Sequence, residues 1–149
     1  MINYLDEVTC GSAVKLALMS NGYYLHSAAA AFNGGSGQRI ASLTPDRDNG
    51  DSFFLIREAN GAPQCLAGEA IKCGDTIRLT HLNSNGNLHS HKVRSIIMGS
   101  TDQQAQEVTI YGNNGEGDAG DNWMVHCEGD YWQRNQKVKF AHVGKFIFE

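Results

Sequence analysis

The chain has 149 residues and a mass of 16.2 kDa, the size of one domain able to bury about two-thirds of its unfolded surface in a single core. Apolar residues make up 41% and charged residues 19%, and no apolar run approaches the roughly 20 residues that a bilayer span needs, which excludes a disordered tail and a membrane helix. Sixteen acidic against twelve basic residues give a formal charge of -4; the basic ones are scattered and form no phosphate-neutralising stripe, so nucleic acid is not an expected partner.

Seventeen glycines against two prolines supply the positive-φ positions that tight hairpins demand, and the chain reads as all-β. In order, the first strands are predicted at Val14 to Leu18, Tyr23 to His26, Arg39 to Leu43 and Phe53 to Ile56, separated by clusters of Gly, Asn, Ser and Asp. Ser27 to Phe32 is Ala-rich but spans about a turn and a half and runs into Gly34-Gly35, so it reads as a loop or a single turn.

The remainder follows by repetition. Val8-Thr9-Cys10-Gly11 with Val14-Lys15-Leu16 is answered by Ile71-Lys72-Cys73-Gly74 with Ile77-Arg78-Leu79, and Leu25-His26-Ser27 by Leu88-His89-Ser90, each after an Asn-Gly step. Gly50-Asp51-Ser52-Phe53 is answered by Gly120-Asp121-Asn122-Trp123, and a third echo starts at Val138-Lys139-Phe140-Ala141-His142. A four-strand unit that cannot bury its own face must stack with its siblings. Threefold closure gives a β-trefoil, with repeat one at about 8–66, repeat two at about 71–128 and only the start of a third at about 137–149 within this chain; three full copies would need about 190 residues.

Four cysteines allow three pairings. Cys10 and Cys65 stand 55 apart and Cys73 and Cys127 stand 54 apart, each pair joining the start of one repeat to the segment after its last strand. Matching bridges Cys10–Cys65 and Cys73–Cys127 are therefore expected, and with them an oxidising compartment; the alternative is four reduced, buried thiols. No two cysteines have zinc-ribbon spacing.

The motifs Val8-Thr9-Cys10-Gly11-Ser12, Leu25-His26-Ser27, Gly35-Ser36-Gly37-Gln38, Ile77-Arg78-Leu79-Thr80-His81, Asn87-Leu88-His89-Ser90-His91, Gln106-Glu107-Val108 and Gly115-Glu116-Gly117-Asp118 make the chain resemble MIR-domain proteins, and among them the stromal cell-derived factor 2 family. The resemblance runs from about Val8 to His142. It implies a β-trefoil of MIR repeats in the endoplasmic reticulum lumen, without catalytic activity or cofactor, working with Hsp40-type and Hsp70-type chaperones and unfolded clients in quality control. MIR repeats also accompany protein O-mannosylation, which brings glycans in as alternative ligands. No basic, apolar and small-residue leader and no Lys/His-Asp-Glu-Leu ending is present, so the luminal address rests on the resemblance.

Six residues form the candidate binding surface: His89, His91, Arg78, Glu116, Asp118 and Asp121. His89 and His91 fall on one face of a strand, where with His81 three nitrogens would suit a metal; the favoured reading is a structural role, because His26 repeats the position of His89 without a second His. Glu116, Asp118 and Asp121 lie in a glycine-spaced acidic loop that lacks the register of an EF-hand and reads as a hairpin loop, with Asp121 capping a turn before Trp123. No nucleophile elbow, His-Glu-x-x-His pair or phosphate loop is present, and no metal is expected. Trp123, Trp132, Tyr131 and Phe53 are expected in the core, and Tyr23 at an exposed hairpin tip. Sugar binding would need Trp123 and Trp132 to face solvent.

Overall fold

The computed structural model describes residues 6–94, 106–114 and 116–143. It is all-β, as the glycine-punctuated pattern predicts. The strands are β1 (Ala13–Val14), β2 (Tyr24–His26), β3 (Arg39–Ile40), β4 (Ser42–Thr44), β5 (Phe54–Glu58), β6 (Thr76–His81), β7 (Asn87–Arg94), β8 (Gln106–Tyr111), β9 (Trp123–Cys127) and β10 (Val138–His142). Single 3-10 turns, Gly50–Ser52 and Ala119–Asp121, precede β5 and β9 at matching places in the two repeats.

All pairing is antiparallel. A curled sheet runs in the order β1-β5-β6-β9-β10, and from β6 a second arm continues through β7 and β8 to β3. β6 is the hub because its two edges are shared along their length: Thr76 and Ile77 face β9, Ile77 to His81 face β5, and Thr80 faces β7. β2 and β4 form a separate hairpin.

The predicted strand from Arg39 to Leu43 is broken at Ala41, because its halves take different partners: β3 joins β8 of the second repeat, and β4 joins β2 of the first. Beyond β1, residues 15 to 18 stay close to Tyr24 through an isolated bridge at Ala17. Ser27 to Phe32 forms no helix. The two Asn-Gly steps solve different problems. Gly22 takes a φ of 74° to close its turn, whereas in the second repeat Asn85 takes the left-handed φ of 56° and Gly86 is needed for space, since a Cβ there would lie 2.6 Å from Ile110.

Phe54, Ile56, Leu79 and Val125 are fully buried at the centre of the sheet, with Trp123 and Trp132 packed around them. The expectation for Phe53 and Tyr131 is corrected. Strand parity turns Phe54 and Ile56 inward, so Phe53 lies half-buried on the outer side, 4.6 Å from the Lys15 ammonium. Tyr131 is exposed, while its neighbour Trp132 points in. Trp123 hydrogen-bonds the Leu88 carbonyl through Nε1 at 2.8 Å, which satisfies the indole inside the core. Tyr23 is exposed as expected.

The bridges are Cys10–Cys65 and Cys73–Cys127, with Cα separations of 6.2 and 5.2 Å. Each closes a loop of more than fifty residues and constrains the unfolded chain by about 4 kcal/mol on the loop-entropy account. No helix among the described residues is long and apolar enough to cross a membrane.

Candidate functional site

Most of the sequence-predicted site lies on the hairpin of β7 and β8. Period two puts Asn87, His89 and His91 on one face of β7, and the register places Tyr111 opposite Asn87 and Thr109 opposite His89. Glu107, Thr109 and Tyr111 therefore share that face. It is polar and buried, because two loops cover it: residues 112 to 121 from the same repeat, and the Gly34 to Gln38 loop reaching across from the first.

The acidic loop is held by its own carboxylates. Asp118 caps the 3-10 turn, accepting from the Gly120 N–H at 2.7 Å, and Asp121 reaches back to accept from the Asp118 N–H at 2.7 Å. The other oxygen of Asp121 accepts from Nδ1 of His89 at 2.8 Å, and the Asn87 amide donates to the Glu116 carbonyl at 3.2 Å. Asp121 is completely buried, where a carboxylate persists only if bonded this fully. Glycine spacing serves packing: a Cβ on Gly117 would lie 2.9 Å from the Asn87 amide, and one on Gly120 would lie 2.8 Å from the Ser90 carbonyl and strike the His89 ring. His142 of β10 donates to the Gly120 carbonyl at 2.9 Å and stacks edge-on against Trp123 at 4.9 Å.

Sequence reasoning quoted Glu107 only as part of a motif, and the structure gives it a central place. Its side chain is fully buried, accepts from Nε2 of His91 at 3.2 Å, and faces the Ser36 N–H at 3.4 Å. Gly35 lies so close that any side chain there would collide with the Glu107 carboxylate. The Gly34-Gly35 pair was the available signal: two adjacent glycines mark a close backbone approach as well as a turn.

The six expected surface residues do not form one surface. Arg78, His89 and Asp121 are buried, His91 is half-buried, and Glu116 and Asp118 are exposed on the loop. Arg78 points away from the hairpin, donating through Nε to the Glu58 carbonyl at 2.9 Å, with the Glu58 carboxylate 4.0 Å away. Burial lowers its pKa, and Arg57 on the facing strand adds to the effect. His81 does not join His89 and His91. It donates from Nε2 to the Asp51 carbonyl at 2.8 Å and pairs Nδ1 with Ser84 at 2.7 Å. Burial lowers its pKa below the ordinary 6.5, against the raising effect of the Asp51 carbonyl.

His89, Asp118 and Asp121 could offer three ligand atoms within 4.8 Å of one another. Both oxygens of Asp121 and one of Asp118 already hold N–H donors, so this donor set closes on itself and does not fit a metal. The same holds for acid–base chemistry. The imidazoles and buried carboxylates bond one another and the backbone, and none is aimed into a cleft.

Two clefts remain. One, of about 780 Å³, opens between the strand segment 12 to 19 and the segment 132 to 140, with Leu25, Leu43 and Leu88 at its base. The other, of about 420 Å³ and mostly polar, lies between Gln38 and Arg39 of the first repeat and Tyr111, Asn113 and Glu116 of the second.

The sequence profile of the MIR domain matches residues 24–142. The chain belongs to the MIR-domain family. Human stromal cell-derived factor 2 is 43% identical over 138 residues, 93% of this chain and 63% of the human protein, so the MIR chain spans about three-fifths of the length of that curated relative. The crystal structure of the SDF2-like protein from Arabidopsis thaliana superimposes with a TM-score of 0.82 at 32% identity, covering 92% of this chain and 74% of that one. A protein O-mannosyltransferase complex of S. cerevisiae bound to the sugar donor contains a match with a TM-score of 0.77 at 27% identity, covering 92% of this chain and 20% of that one. Two disulfides and this kinship fit a protein of the secretory pathway.

Proposed function

We propose that this MIR domain is a non-catalytic binding protein of the endoplasmic reticulum lumen that assists folding and quality control with Hsp40-type and Hsp70-type chaperones and their unfolded clients. The observation that carries it is the closed polar hairpin: His89 is bonded to Asp121, His91 to Glu107, and Asp118 to the loop backbone. Side chains committed in this way build a rigid frame and leave shape and surface as what the domain offers. Kinship to stromal cell-derived factor 2 supplies the chaperone context. The domain on this reading is a β-trefoil of MIR repeats, with the 8–66 and 71–128 units complete and the third begun at 137.

A second reading, recognition of mannose-type glycans, is favoured by the polar cleft beside Tyr111 and by the match within the sugar-donor-bound mannosyltransferase complex. Trp123 and Trp132 are buried, so stacking on a sugar would fall to Tyr111, which packs 4.5 Å from the His89 ring. An affinity pull-down from microsomal lysate with the oxidised chain, with and without mannose as competitor, separates the two. Luminal chaperones recovered regardless of sugar support the first reading; glycoproteins displaced by mannose support the second.

A further inference from the structure

The larger cleft has a wall on each side made by the end strand of one curled sheet. β1 pairs only with β5 and β10 only with β9 among the described residues, so the run β1-β5-β6-β9-β10 ends in two strands that flank the same opening. On the β1 side, Gly11 and Ser12 exchange backbone hydrogen bonds with Ile56. Antiparallel alternation then turns the peptide groups of Ala13 and Lys15 toward the cleft. Val14, Leu16 and Leu18 line one wall, Val138 and Phe140 the other, with Leu88 below. Leu18 is 45% exposed, large for an apolar side chain beside an open strand edge.

We propose that this cleft binds an extended polypeptide segment as an added strand between β1 and β10. The inference rests on the reading of the domain as a partner of unfolded clients, and it names what that domain would recognise. A pairing edge on both walls decides the occupant. The edge strand of a folded partner, including a second copy of this chain, has one edge already paired within its own sheet and satisfies one wall at most. An unfolded segment has both edges free. Its inward residues meet an apolar floor, so alternation of apolar and polar side chains is required. The repeats show the pattern: β5 and β9, at the equivalent places in the sheet, bury Phe54 and Ile56 in one case and Trp123 and Val125 in the other. Arg134 and Lys137 are exposed at the rim of the β10 wall, which favours acidic residues on the outward face of the segment.

The test is fluorescence anisotropy with the oxidised 149-residue chain and a labelled nonapeptide alternating Phe or Val with Ser or Glu. An isomeric control of matched apolarity carries proline at alternate positions and cannot pair on both edges. The expected result is saturable binding, at least tenfold weaker for the proline peptide and at least tenfold weaker with Leu18→Asp or Leu43→Asp. Both leucines are largely exposed, so both variants should fold, which circular dichroism checks. Equal affinity for the two peptides, insensitivity to both variants, or no binding would overturn the proposal. So would binding that appears only after residues 144–149 are removed, which would make the chain's own end the occupant. Sedimentation showing a dimer that Leu18→Asp dissolves, without peptide binding, would assign the cleft to a second copy. None of these failures touches the pull-down, which tests chaperone partnership separately.

Discussion

The two repeats share a sequence plan and differ in how completely they are packed. At equivalent places, Gly50-Asp51 and Gly120-Asp121 start the same kind of 3-10 turn. Asp121 is completely buried and accepts from His89 and from the Asp118 N–H. Asp51 is half-buried, and its carboxylate accepts from the Asn83 amide at 2.7 Å. His89 is locked to Asp121, whereas its counterpart His26 pairs with the Ser42 hydroxyl at 3.1 Å. The second repeat has strands of six, eight, six and five residues, while β1 to β4 have two or three each. A repeat is thus a template that neighbours complete: the second lies between the first repeat and the start of the third, and the first faces the open cleft on one side.

Breaking a disulfide should have the largest effect and should not distinguish the repeats. The loops differ by one residue, so Cys10→Ser and Cys73→Ser should each cost about 4 kcal/mol, read as a fall in Tm under oxidising conditions. If reduced and oxidised protein melt alike, the bridges do not carry this stability. Next comes the buried carboxylate. Asp121→Ala strands the His89 and Asp118 donors and should cost about 3 kcal/mol, whereas Asp51→Ala should cost less than about 1 kcal/mol, both by urea denaturation. Equal losses would break the comparison between repeats.

Smaller effects sharpen it. Gly120→Ala presses on His89 and Ser90 and should cost about 1–3 kcal/mol, while a Cβ on Gly50 meets nothing within 4 Å and Gly50→Ala should stay within about 0.5 kcal/mol. Acid adds a last test through His81. Its folded pKa is lowered, so above the ordinary value of 6.5 both folded and unfolded imidazoles are neutral and stability is complete. Below it the unfolded chain takes up a proton that the folded chain refuses, and stability falls until the folded pKa is passed. Urea midpoints should drop from pH 7.5 to 5.5, and less steeply in His81→Leu, which installs the residue that the first repeat carries at the equivalent position, Leu18.

Strand order and disulfide pairing were legible because they depend on spacing: glycine turns every few residues and two cysteine pairs with nearly equal separation. The depth of packing was not, because it depends on which loop covers which strand. Glu107 in Gln106-Glu107-Val108 reads as a solvated strand residue until the Gly34 to Gln38 loop is laid over it, 71 residues away in sequence. For the same reason Arg78, His89 and Asp121 looked like surface groups. Phe53 and Phe54 differ only in strand parity, which one register step reverses. The break at Ala41 was invisible since β3 takes its partner from the other repeat.

Hydrogen exchange by mass spectrometry, with and without the alternating peptide, tests most directly the contrast between a closed second repeat and an open first one. The expected result is slow exchange in β6 to β9, fast exchange in β1 to β4, and peptide-induced protection confined to β1 and β10. Uniform exchange across the two repeats, or protection centred on β7 and β8, would contradict it.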